Sequence, residues 1–133
     1  MQVFAPFDDV DLCAMSLDPQ RLGNQVYREC LTLIRGKWPN HPASKIWTPH
    51  KHALAIYSLA CLRELKSRGR DYPHWFRMFE YYKEIFPDTG FPPIWGRKDY
   101  HLSHQSNLIN KKPEWYRPLF GVDVPLDLEY VWE

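Results

Sequence analysis

"TPHKHALAIYSLACLRELKSRG", residues 48–69, decides the fold class. Ala53, Ile56, Tyr57, Ala60, Cys61 and Leu65 recur there at the spacing of one helical face. Thr48-Pro49 supplies a cap residue and a first-turn proline, and Arg68-Gly69 closes the segment. It is the longest unbroken helical pattern in the chain and is expected to be the central core helix.

Towards the N-terminus, Asp18-Pro19 is another start signal, and the helix it opens is expected to run to about Arg35, where Gly36 ends it. Asp8 or Asp9 can cap a short helix carrying Val10, Leu12, Cys13, Met15 and Leu17. "MQVFAPF", residues 1–7, is apolar and extended, with Pro6 against a helix. "KWPNHPASKIW", residues 37–47, is a proline-punctuated connection with a helical turn around Ala43–Trp47, and Asn40 and His41 can fix it by local hydrogen bonds.

Towards the C-terminus, "DYPHWFRMFEYYKEIF" (71–86) begins a helix at a proline, and "PDTGFPPIWG" (87–96) is a loop. "RKDYHLSHQSNLINKK" (97–112) is helical, and "PEWYRPLFG" (113–121) is a turn or short helix. The tail "VDVPLDLEYVWE" (122–133) carries a proline that favours an extended packed strap over a paired strand. These elements predict an all-α, compact single domain over residues 1–133: five or six helices with extended N- and C-terminal straps.

Charge is balanced, 17 Lys+Arg against 16 Asp+Glu, which excludes a generic polyanion coater and leaves only a local basic patch for nucleic acid. Cys13, Cys30 and Cys61 sit among apolar residues without CxxC spacing and are read as buried, reduced thiols of a reducing compartment. No secretory signal and no membrane span is visible, so a cytoplasmic protein is expected.

Arg21, Arg28 and Arg35 recur every seven residues and share one face of the 19–35 helix, with Gln25 and Thr32 close to that stripe. Leu22, Val26, Cys30, Leu33 and Ile34 form the opposite face. Glu29 falls at the seam, between Leu22 and Leu33. It is either a rim carboxylate paired with an arginine or a partly desolvated acid–base group beside phosphate-gripping guanidiniums. His101 and His104 are three apart on one helix, but no further ligand accompanies them, and stacking, capping or phosphate contact is expected rather than metal binding. Lys111, Lys112 and Arg117 bracket Trp115 and Tyr116, which are either base-stacking partners or core anchors.

Tyr27-Arg28-Glu29 near the start and Pro113-Glu114-Trp115-Tyr116-Arg117 near the end together resemble the phage and bacterial pyrimidine-dimer DNA glycosylase family, the endonuclease V type. The resemblance implies an all-α DNA repair glycosylase and AP lyase that needs no cofactor. An N-terminal α-amine attacks C1′ of the damaged nucleotide, forms an imine and cleaves the strand by β-elimination. An α-amine, whose class titrates near about 8, keeps a usable neutral fraction at neutral pH. By correspondence the nucleophile is Met1 and the assisting carboxylate Glu29. Arg21 and Arg28 would hold phosphates, with Arg35 on their stripe, and Gln25 and the Lys111–Arg117 segment would clamp the duplex. Gln2 and Asn107 occupy places where the family carries arginine. The spacing from Gln20 to Glu29 differs from the family's by about one residue. The implied partner is double-stranded DNA carrying a damaged or modified base, bound by a monomer. Two alternatives stay open: a related nucleobase- or nucleotide-modifying enzyme on the same scaffold, and a non-catalytic DNA- or protein-binding module.

Overall fold

The computed structural model describes residues 1–133 and is all-helical, without strands. Six continuous helical runs follow one another. The first is α1 (Val10–Ser16), capped by the Asp9 carboxylate, which accepts from Leu12 N at 2.9 Å. The second comprises α2 (Pro19–Asn24), a π-helical segment (Gln25–Cys30) and α3 (Leu31–Ile34). The third joins α4 (Pro42–Trp47), a 3-10 turn (Thr48–His50) and α5 (Lys51–Ser67). Then come α6 (Pro73–Ile85), α7 (Lys98–Lys111) and α8 (Pro113–Phe120). The prolines at 19, 42, 73 and 113 all stand in first turns, where the missing N–H costs nothing.

Helix α5 is the axis of the core, as its periodicity predicts. It packs against α1, α6 and the π segment, and buries Leu54, Tyr57, Cys61, Leu62 and Leu65. Each large apolar side chain buried in this way contributes about 1.5–3 kcal/mol. One cluster of 29 buried residues runs from Val3 to Val124, so both extended straps join the same core. Cys13, Cys30 and Cys61 are free and buried within it. No helix is long and apolar enough to cross a membrane.

The polar run in α7 has a structural reason. One set of its side chains brackets the N-terminal strap, and another brackets the C-terminal strap. Asn107 Nδ2 donates to the Leu128 carbonyl (3.0 Å), and Asn110 Nδ2 to that of Leu126 (2.6 Å). Ser106 Oγ accepts from Leu128 N (3.3 Å), and Ser103 Oγ from Val131 N (3.2 Å). These polar side chains thus do for the tail what a neighbouring strand would do in a sheet.

Candidate functional site

The N-terminal strap is fixed peptide by peptide. Gln25, 1% exposed, donates from Nε2 to the Gln2 carbonyl (3.1 Å) and accepts at Oε1 from Phe4 N (2.9 Å). Tyr57 Oη shares its single proton between the Phe4 carbonyl (2.6 Å) and Gln25 Oε1 (2.9 Å). Ala5 is held on both sides: its N–H donates to His104 Nδ1 (2.9 Å), and its carbonyl lies 2.7 Å from His101 Nδ1. Gln105 Nε2 takes the Pro6 carbonyl (2.8 Å). Three helical runs therefore converge on residues 2–6 and hold Met1, half-buried, against the core.

The two histidines at HxxH spacing thus serve this strap. His101 Nε2 also accepts from Gly96 N (2.9 Å), which makes Nδ1 its protonated nitrogen. Burial presses the His104 pKa down to about 3, and with Nδ1 accepting from Ala5 it is neutral with its proton on Nε2.

The second helical run departs from the straight α-helix expected from its pattern. Between Gln25 and Cys30 it widens into a π-helix, which takes up one extra residue and about 100° of rotation. In a continuous α-helix Glu29 would stand about 20° from Leu22, at the core edge. The π segment turns it instead towards the azimuth of Arg21. The same widening splits the seven-residue arginine stripe: Arg21 faces a cleft with Glu29, whereas Arg28 and Arg35 are exposed and line no part of it.

That cleft, of ≈ 200 Å³, is bordered by Gln20, Arg21, Asn24, Gln25, Glu29 and Lys111, with Phe4 of the strap as its apolar member. Arg21 is aimed by Asp18, 3.1 Å from its Nη1. Burial of Asp18 would raise its pKa, but the Tyr116 hydroxyl and Arg21 outweigh this and hold it below the usual carboxylate range. The cleft thus combines one half-buried carboxylate with two cations beside the start of the chain.

His41 stands at the start of the third helical run. It caps α4 by accepting at Nδ1 from Ala43 N (3.0 Å). That bond leaves Nε2 as the protonated nitrogen of a neutral ring. Its pKa is lowered by burial first and then by the Met1 ammonium, and the Glu29 carboxylate opposes both. One imidazole therefore feels the amine and the carboxylate together. Trp132 of the C-terminal strap packs edge-on against it, with centroids 6.0 Å apart at 87°. The sequence offered His41 only as a turn residue, because its contact with Trp132 of the tail exists only in three dimensions.

The remaining expected site residues are distributed as follows. Gln2 is buried within the strap. Asn107 also donates to the Ser103 carbonyl (2.8 Å), so its amide is engaged within the chain. Tyr116 is fully buried and donates to the Asp18 carboxylate, while Trp115 Nε1 donates to the Ser16 carbonyl (2.8 Å). Both rings anchor α8 onto the α1–α2 junction, the core-anchor alternative of the two. Arg117 Nη1 binds the carbonyls of Gly121 (3.1 Å) and Val124 (3.0 Å). Lys112 lies over the Trp115 ring at 5.6 Å, and Lys111 is exposed at the cleft. The structure brings Arg21, Gln25, Glu29 and Lys111 to one cleft, which Lys112, Trp115, Tyr116 and Arg117 do not line.

Residues 1–78, which carry the strap, the π segment and His41, match the family model described as pyrimidine dimer DNA glycosylase. No curated protein and no solved structure matches the chain.

Proposed function

The chain belongs to the pyrimidine dimer DNA glycosylase family, and from that premise we propose that it excises a damaged base by attack of the Met1 α-amine and then cleaves the strand. Its general function is that of a DNA glycosylase acting on DNA. The neutral amine adds to C1′, and the glycosidic C1′–N bond breaks with its electron pair on the departing base. Loss of the amine proton and opening of the C1′–O4′ bond give the imine. Removal of a C2′ proton then expels the 3′ phosphate by β-elimination. Glu29 stabilises the positive charge developing at C1′ and relays protons. Arg21 and Lys111 neutralise the flanking phosphates, and exposed Arg28 and Arg35, with Lys112, reach the backbone further out. His41, fixed as a neutral Nε2–H donor, offers a hydrogen bond to sugar or phosphate without adding charge. Gln2 belongs to the strap that carries the nucleophile. Gln25, His101 and His104 hold that strap still, and Trp115, Tyr116, Arg117 and Asn107 hold the scaffold behind it.

The observation that supports this reading best is the strap itself. Buried side chains from three helical runs fix residues 2–6, far more than a chain end needs for stability alone. A nucleophile at the chain terminus has such a need, because misplacement by about 1 Å can cost a hundredfold in rate. The test is borohydride trapping on duplex DNA with one abasic site, followed by peptide mapping. The adduct is expected on the Met1 amine, lost after N-terminal acetylation and strongly reduced in Glu29→Gln. An adduct on Lys111, or strand cleavage undiminished by acetylation, overturns the assignment.

A further inference from the structure

The chain has six tryptophans, and five of them are engaged. Trp47 is fully buried, Trp75 packs on Tyr27 and Phe79, and Trp132 lies against His41. Trp95 Nε1 donates to the Asp8 carbonyl and Trp115 Nε1 to that of Ser16. Trp38 is the exception. It is 68% exposed, and its ring packs against no other ring. It is also the one non-glycine residue with positive φ, at 56°, a conformation that a bulky side chain disfavours. Pro39 follows it and restricts it further towards extended geometry.

This strained turn is braced. Gly36 (φ 73°) ends the second helical run in a Schellman arrangement: Lys37 N donates to the Thr32 carbonyl (3.2 Å), and Gly36 N to that of Leu33 (3.0 Å). Beyond it, the Trp38 carbonyl accepts from His41 N (3.0 Å), and the Lys37 carbonyl from Ser44 Oγ (3.4 Å). Trp38 thus occupies a fixed backbone turn, preceded in the chain by exposed Arg35 and Lys37 and tied through its carbonyl to His41. An exposed indole, next to cations in the chain and held in an unfavourable backbone conformation just past the end of the helical run that carries Glu29, is suited to insertion between base pairs.

We propose that Trp38 is a wedge that enters a base step of duplex DNA and unstacks the nucleotide presented to the Glu29 cleft. The inference rests on the reading of this cleft as a DNA glycosylase site. The cations next to Trp38 in the chain meet the phosphates of the opened step, and the indole faces replace the stacking lost when a nucleotide leaves the duplex. Base–aromatic stacking of this kind corresponds to roughly 5- to 150-fold in affinity.

The test uses a duplex with a tetrahydrofuran abasic analogue, which cannot form an imine, and 2-aminopurine at the neighbouring position. The native protein is expected to raise the 2-aminopurine fluorescence on binding. Trp38→Ala should abolish the rise and weaken duplex binding roughly 5- to 150-fold, with single-strand binding much less affected. Trp38→Phe should restore most of the signal. No rise with the native protein, or an equal rise with Trp38→Ala, overturns the wedge. Borohydride trapping on single-stranded abasic DNA separates the two claims. Trapping that persists while the rise proves independent of Trp38 defeats the wedge alone. A Trp38-dependent rise without any trapping defeats the amine chemistry and leaves the wedge standing.

Discussion

Replacing Gln25 by leucine tests whether the start of the chain is held by one buried amide. The substitution keeps approximate volume and removes three hydrogen bonds, to Gln2, Phe4 and Tyr57. The Tyr57 hydroxyl retains the Phe4 carbonyl. The Phe4 N–H and Gln2 carbonyl are left unpaired in the interior, at about 1–3 kcal/mol each, or about 2–6 kcal/mol together. Release of the strap offers no cheaper escape, because Val3 and Phe4 would leave the core and forfeit about 1.5–3 kcal/mol apiece. A loss near 3 kcal/mol is therefore expected in urea denaturation followed by helical circular dichroism, with faster hydrogen exchange at the Phe4 amide. Tyr57→Phe, which leaves Gln25 on Phe4 N but the buried Phe4 carbonyl unpaired, should cost about 1–3 kcal/mol. Combined in a double-mutant cycle, the two should be non-additive, because they share a hydrogen bond. A Gln25→Leu protein destabilised by less than about 1 kcal/mol, with the Phe4 amide still protected, would refute the bracketing account.

His104 carries a depressed folded-state pKa, about 3 against an ordinary 6.5, so between these values the unfolded chain binds the extra proton. Stability is then fully present above pH 6.5 and falls as pH drops towards 3, by up to about 1.4 kcal/mol per pH unit. Denaturation midpoints at pH 7 and pH 5 should show this slope, and His104→Gln should flatten it. Burial pushes the Cys13 and Cys30 thiols up to about 12, and Cys61 is raised as well. An aromatic disulfide reagent should therefore label none of the three thiols in the native protein and all of them in denaturant. Trp38→Gly should stabilise the fold by about 1 kcal/mol by relieving the positive φ, while impairing action on duplex DNA. A stability equal to or below that of the native protein would argue against strain at this turn.

Most of the fold was legible in the chain because its signals are local. First-turn prolines stand at four helix starts, Gly36 and Gly69 mark two ends, and the period of residues 53–65 identifies the central helix. The site was legible only in part. Glu29 was conspicuous because a carboxylate at a core edge demands a partner. Its true direction was hidden, because π widening leaves no mark in hydrophobic periodicity. His101 and His104 were visible as a pair, but their task, holding the two sides of Ala5, depends on a contact nearly 100 positions away in sequence. Trp115 and Tyr116 looked equally suited to stacking and to anchoring, and only the Ser16 and Asp18 contacts decide between them.

The π segment also bears on how this chain could have arisen. A codon inserted into a helix normally shears one flank against the other, and every later side chain lands on the wrong face. Here the preceding flank is pinned by Asp18 and Tyr116 and the following flank by the Gly36 terminus, so a residue added between them would be stored as a local swelling of the kind the π segment forms. Deleting one residue between 25 and 30 should let the helix rewind as ordinary α, with both flanks in place. The gene can thus gain or lose a codon there at modest cost to the architecture, and the part re-aimed by that edit is the cleft itself.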